Sequence, residues 1–138
     1  MLHDIGRIAG CAHGDAATKC HEDEGVKFLK ELSFLSEHNE LLKLAIDGAG
    51  NHNEKWDGTG YLGMKGEKIH LISRIAAVAD VFDALVSKRS YKKAWTTDQA
   101  REIIMSESGT HFDPNVVQAF LDHFDEIVEV FHSFPEME

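Results

Sequence analysis

The chain has 138 residues, enough for one ordinary domain with a real core and too few for two comfortable ones. Hydrophobic residues at 43% and charged ones at 28% are close to the proportions of an average globular protein and do not suggest a disordered chain. A net charge of −10 argues against binding duplex nucleic acid by phosphate neutralisation, while leaving room for a local basic pocket around one small anion. No apolar stretch is long enough for a membrane span and no charged, apolar, small-residue leader opens the chain, so the expected compartment is the cytoplasm. Cys11 and Cys20, spaced C-x8-C without a second pair, read as reduced thiols.

With only Pro114 and Pro135 to interrupt it, the chain has long stretches free to be helical, and the predicted fold class is all-α. From His21 to Leu35, "HEDEGVKFLKELSFL" sets Val26, Leu29 and Leu32, with Phe28 and Leu35, at spacings of three, four and seven behind an acidic first turn. A second helix is predicted in "HNELLKLAIDGAGNH", loosened at Gly48 and Gly50, with His52 just beyond it or at its frayed end. Residues 51–68 carry four glycines, at 58, 60, 63 and 66, and are expected as a long shaped loop, with a small hairpin as the alternative.

The pattern becomes helical again from Leu71 to Ser87, where Ile72, Ile75, Val78, Ala79, Phe82 and Leu85 make a broad apolar face interrupted by Asp80 and Asp83. "TTDQAREIIMSES" begins with a Thr or Asp cap and ends at Gly109. After "HFDP" one last helix is predicted through Val116, Val117, Phe120, Leu121 and Phe124.

Nine histidines in an acidic chain are the raw material of a divalent-metal site. The adjacent pair His3 and Asp4, with His21, His52 and Asp80, each fall near a predicted helix and could converge only inside a bundle. Any one histidine is more often an ordinary hydrogen-bonded residue. Asp80 carries more weight, because a carboxylate within the apolar run "AVADVF" is costly to bury without a cation or donor beside it.

The motifs "LHDIGR", "HEDEG", "HNEKWDGTGYLGMKGEKI", "SRIAAVADVFDALVSKRSYKKAW" and "SGTHFDPNVVQAF" follow one another in the order of an HD-GYP domain, which the sequence resembles over most of its length. The resemblance implies an all-helical bundle of the HD superfamily, built from residues 1–138 as one domain, with a centre of two or three metals. The metal would be Fe or Mn, with Zn, Ni or Mg as alternatives, and the reaction hydrolysis of cyclic di-GMP or another phosphate ester. It assigns His3, Asp4, His21, His52 and Asp80 as metal ligands, with Asp4 bridging, and Arg89 and Lys92 as partners of the substrate phosphates. Gly60 and Tyr61 fall in the loop that gives the family its name. Asp4 and Arg7 would serve catalysis, although an arginine where the family has lysine keeps the charge and cannot donate a proton at neutral pH.

Departures from the family pattern suggest a second reading. Asn53 stands where the family has a second histidine, and Leu62 where it has the proline of Gly-Tyr-Pro, which removes a fixed φ from the loop. The segment "AGCAHGDAATKC" reads as a contracted loop, and the helix that precedes the His-Asp pair in the family, with a further histidine ligand, is expected to be missing. The alternative function is therefore a degenerate signalling module that binds nucleotide or a protein partner through the Gly-Tyr-Leu loop, with a homodimer as a further expected association.

Overall fold

The computed structural model describes residues 15–32, 40–87 and 94–133. Among these described residues six α-helices follow one another: α1 (Asp15–Leu32), α2 (Glu40–Asn51), α3 (Leu71–Val86), α4 (Thr97–Ser106), α5 (Pro114–Asp122) and α6 (Phe124–Ser133). The all-α expectation holds, and one isolated bridge, between Ser108 and Phe112, is the nearest approach to sheet among the described residues. Helix α1 packs on α2, α2 on α3, and α3 on both α4 and α5.

Local chemistry explains several helix ends. Thr96 Oγ1 accepts from Gln99 N at 3.2 Å while Gln99 Oε1 accepts from Thr96 N at 3.0 Å, a reciprocal cap that starts α4. Asp113 Oδ1 accepts from Asn115 N at 2.8 Å, and Pro114 supplies a preset φ at the first position of α5. Helix α1 starts six residues before His21, so the second half of "AGCAHGDAATKC" is helix rather than loop, in keeping with the high helix propensity of its two alanines. Cys20 is disulfide-bonded, which corrects the expectation of a reduced thiol there, while Cys11 lies outside the described residues.

Helices α3 to α6 share one aromatic core. Phe82 of α3 meets Phe120 at a centroid distance of 5.5 Å and Phe124 and Phe131 at 6.2 Å each, all edge to face. This cluster explains where the final predicted helix breaks. A single rod through Phe124 would leave Phe131 remote, whereas a turn at His123 (φ −113°, ψ 20°) redirects α6 so that Phe124 and Phe131 both reach Phe82. On α3 itself the apolar face is only partly covered. Ala77, Val78, Phe82 and Val86 are buried, while Ile72 and Ile75 stay exposed. Ile75 lines an apolar groove of about 420 Å³ together with Val116, Phe120 and Ile127.

The loop after α2 is built from turns rather than a hairpin. Gly58 N donates to Lys55 O and Gly63 N to Gly60 O, and Gly66 N closes the segment on Trp56 O at 2.9 Å. Positive φ at Gly58 (86°) and Gly63 (68°) bends the chain where paired strands would have to run straight. The loop is seated on the turn between α4 and α5, where Trp56 N donates to His111 O at 3.0 Å and Asp57 N to Thr110 O at 2.9 Å. Arg74 locks the same region. Its guanidinium stacks over Trp56, donates to Ile69 O, and pairs with the fully buried carboxylate of Asp113 that caps α5.

Candidate metal centre

The stripe that makes α1 amphipathic also carries polar side chains inward. His21 and Glu22 are buried, and Glu22 lies four and seven residues before Val26 and Leu29 on that stripe. Opposite them α2 ends at Asn51, and the chain turns so that His52 is buried against α1.

His52 Nδ1 lies 3.0 Å from Gly48 O. A carbonyl can only accept, so the proton sits on Nδ1 and the lone pair on Nε2, the arrangement a metal-ligating imidazole requires. That Nε2 faces His21 Nε2 at 3.5 Å. Two imidazole nitrogens bound at about 2.0–2.1 Å to one tetrahedral cation stand about 3.4 Å apart, so this pair fits a shared divalent ion.

Asn53 complicates the fit. Its Nδ2 lies 2.9 Å from His52 Nε2 and 2.9 Å from Glu22 Oε1, so the two amide hydrogens address both neighbours. The lone pair of His52 cannot accept from Asn53 and bind a cation together. Burial pushes the Glu22 carboxyl up to about 7; the hydrogen bonds from Asn53 oppose that rise, and the charges of Glu54 and Asp23 add to it.

The other nominated residues fall in different places. Asp80 lies two helical turns beyond Ser73 on α3, and Ser73 Oγ donates to Asp47 O of α2 at 2.9 Å, so Asp80 continues the stripe directed at α2 and is half-buried. Among the described residues, however, no three His, Cys, Asp or Glu side chains gather into a group able to hold a metal. His3, Asp4, Arg7, Arg89 and Lys92 lie outside the described residues.

Gly60 and Tyr61 sit on the loop, where Gly60 has a packing role of its own. A Cβ there would stand 2.8 Å from Glu54 Cα and from Lys55 N. Tyr61 is 46% exposed, so its ring is available to a ligand. Two acids that sequence reasoning did not nominate, Glu22 and Glu54, are both buried. Helical spacing from Leu29 could have found Glu22. Its position directly after His52 and Asn53, within a motif already read as ligand-bearing, could have found Glu54.

An HD domain model matches residues 1–116, and the chain belongs to the HD-domain family. It is 46% identical to a cyclic di-GMP phosphodiesterase of Vibrio cholerae over 98% of this chain and 30% of that protein. To the 3'3'-cGAMP-specific phosphodiesterase 2 of the same organism it is 38% identical, over 98% of this chain and 27% of the relative. A cyclic di-GMP phosphodiesterase of Thermotoga maritima is 34% identical over 94% of this chain and 37% of its own. The fold is similar to a crystal structure of a cyclic GMP-AMP-specific phosphodiesterase of V. cholerae, with a TM-score of 0.60 and 28% identity over 85% of this chain and 25% of that one. The chain thus spans between a quarter and two fifths of the length of these relatives. Among the described residues no helix is long and apolar enough to cross a membrane.

Proposed function

We propose that residues 1–138 act as one HD-GYP-type unit, a metal-dependent phosphodiesterase that hydrolyses a cyclic dinucleotide in the cytoplasm. The observation that carries this reading is the facing pair of His21 and His52 nitrogens, 3.5 Å apart, with the His52 tautomer set by Gly48. The names of relatives at 34–46% identity support cyclic di-GMP or 3'3'-cGAMP as the substrate class.

In this reading His3, Asp4, His21, His52 and Asp80 hold divalent cations, Fe or Mn first. When bound, such cations supply Lewis-acid activation of water and of the phosphodiester. His52 would contribute Nε2, the ring nitrogen not engaged with Gly48 O. Arg89 and Lys92 hold the substrate phosphates, and Arg7 adds a fixed positive charge without donating a proton. Gly60 and Tyr61 present the loop to the base or ribose.

A specific observation favours a second reading, a binding module without turnover: the Asn53 amide already addresses the His52 lone pair that a cation would use. Protein purified without chelators, analysed for metal and then assayed with cyclic di-GMP and 3'3'-cGAMP in the presence of Mn or Fe, separates the two. Bound metal with hydrolysis supports the phosphodiesterase. Tight nucleotide binding by calorimetry, with neither metal nor turnover, supports the module.

A further inference from the structure

We propose that Glu54 is a positioning residue that locks the Gly-rich loop, and that the Leu62 N–H does through a hydrogen bond what a proline ring at that place would do through a fixed φ. The Glu54 side chain is buried, and its two oxygens are used on two different turns of the loop. Oε1 accepts from Leu62 N at 2.7 Å and Oε2 from Met64 N at 2.8 Å. Bonds from backbone N–H groups to an ionised carboxylate are short and about twice as strong as neutral ones. Gly60 lets the loop come this close, since any Cβ there would strike Glu54 itself.

Leu62 contributes through its backbone. Its side chain is 58% exposed and packs little, whereas its N–H is the donor that a proline lacks. A proline at 62 would fix φ but leave Glu54 Oε1 without this partner. Leucine leaves φ free and gains the bond, so the loop is held by a different device. Because Glu54 is two residues from His52 and one from Asn53, the carboxylate that orders the loop also fixes its position relative to the candidate metal ligands. Tyr61 is then presented at a set distance from them rather than on a freely moving tip.

The test is hydrogen exchange of individual amides by NMR on the full chain. In the unsubstituted protein the Leu62 and Met64 amides exchange at least tenfold more slowly than in the unfolded chain. Glu54→Gln, which replaces one acceptor by an amide donor, removes at least tenfold of that protection at one or both positions and leaves α4 to α6 unchanged. Leu62→Gly keeps the N–H and frees φ further, and as an exposed site it does not disturb folding; Met64 protection stays within threefold. Exchange at unfolded-chain rates in the parent protein, full protection in Glu54→Gln, or lost protection in Leu62→Gly would each overturn the proposal. The catalytic consequence rests on the phosphodiesterase reading: with cyclic di-GMP, Glu54→Gln raises KM at least fivefold with metal content per chain unchanged, and an unchanged KM counts against positioning. If the parent protein hydrolyses nothing, the phosphodiesterase reading fails while the exchange data still decide the loop lock.

Discussion

His21 and His52, 31 residues apart in sequence, present their Nε2 atoms to each other across 3.5 Å, with Asn53 2.9 Å from the second of them. Two nitrogens at ligand spacing under a competing amide donor make metal uptake sensitive to all three residues. His21→Ala or His52→Ala is expected to lower affinity for Mn or Zn by at least about tenfold, measured by titration calorimetry. Asn53→Ala, which frees the His52 lone pair, is expected to raise affinity severalfold. A fall with Asn53→Ala would mean that the amide serves the site rather than competing with it.

Glu22 gives the chain a pH-dependent stability. Its folded pKa of about 7 stands above the ordinary 4.5, so between those values the folded state binds more protons than the unfolded one. Stability from this residue is therefore complete below about pH 4.5 and is lost as pH rises through about 7. Urea midpoints of metal-free protein from pH 4.5 to 8 are expected to fall more steeply for the parent than for Glu22→Gln, which mimics the protonated acid. Parallel curves for the two proteins would show that burial does not raise this group.

Arg74→Met should be among the most damaging single changes outside the candidate centre. It leaves the Asp113 carboxylate, whose side chain has no exposure, without its cation, and breaking a buried pair in this way costs about 3–5 kcal/mol. The methionine also removes the cation stacked over Trp56. Urea unfolding followed by tryptophan emission checks both effects, and a loss below about 1 kcal/mol would place the weight of this region elsewhere.

Two glycines are expected to respond in opposite directions. Gly48 lies inside α2 with nothing within 4 Å of where an alanine methyl would stand, so Gly48→Ala should stabilise by about 0.5–1 kcal/mol through helix propensity and reduced unfolded-state freedom. Gly60→Ala meets backbone at 2.8 Å and should destabilise by about 1–3 kcal/mol. Thermal midpoints of the pair read both signs in one experiment.

Much of this was legible because it is periodic or local. The stripes of α1 and α3, the Asp113 and Pro114 start of α5, and the position of His52 at the end of α2 all follow from spacing and capping chemistry within about a dozen residues. What depends on distant partners was not legible. The break at His123 answers to Phe82, 41 positions earlier, and the Arg74–Asp113 pair joins residues 39 apart. Glu54 does not stand out in sequence, and only the folded loop shows its two oxygens spent on Leu62 and Met64.

The hydrogen bonds that seat Trp56 and Asp57 on His111 and Thr110 also tie the loop to a much later part of the chain. His21 and His52 belong to the first half of the chain and meet through the neighbouring helices α1 and α2, a contact of modest sequence separation. The loop that follows them closes on itself through Glu54, Leu62 and Met64, but its seat on the turn after α4 lies more than fifty residues downstream. During synthesis the two histidines can therefore come together before the turn that seats the loop beside them has been made.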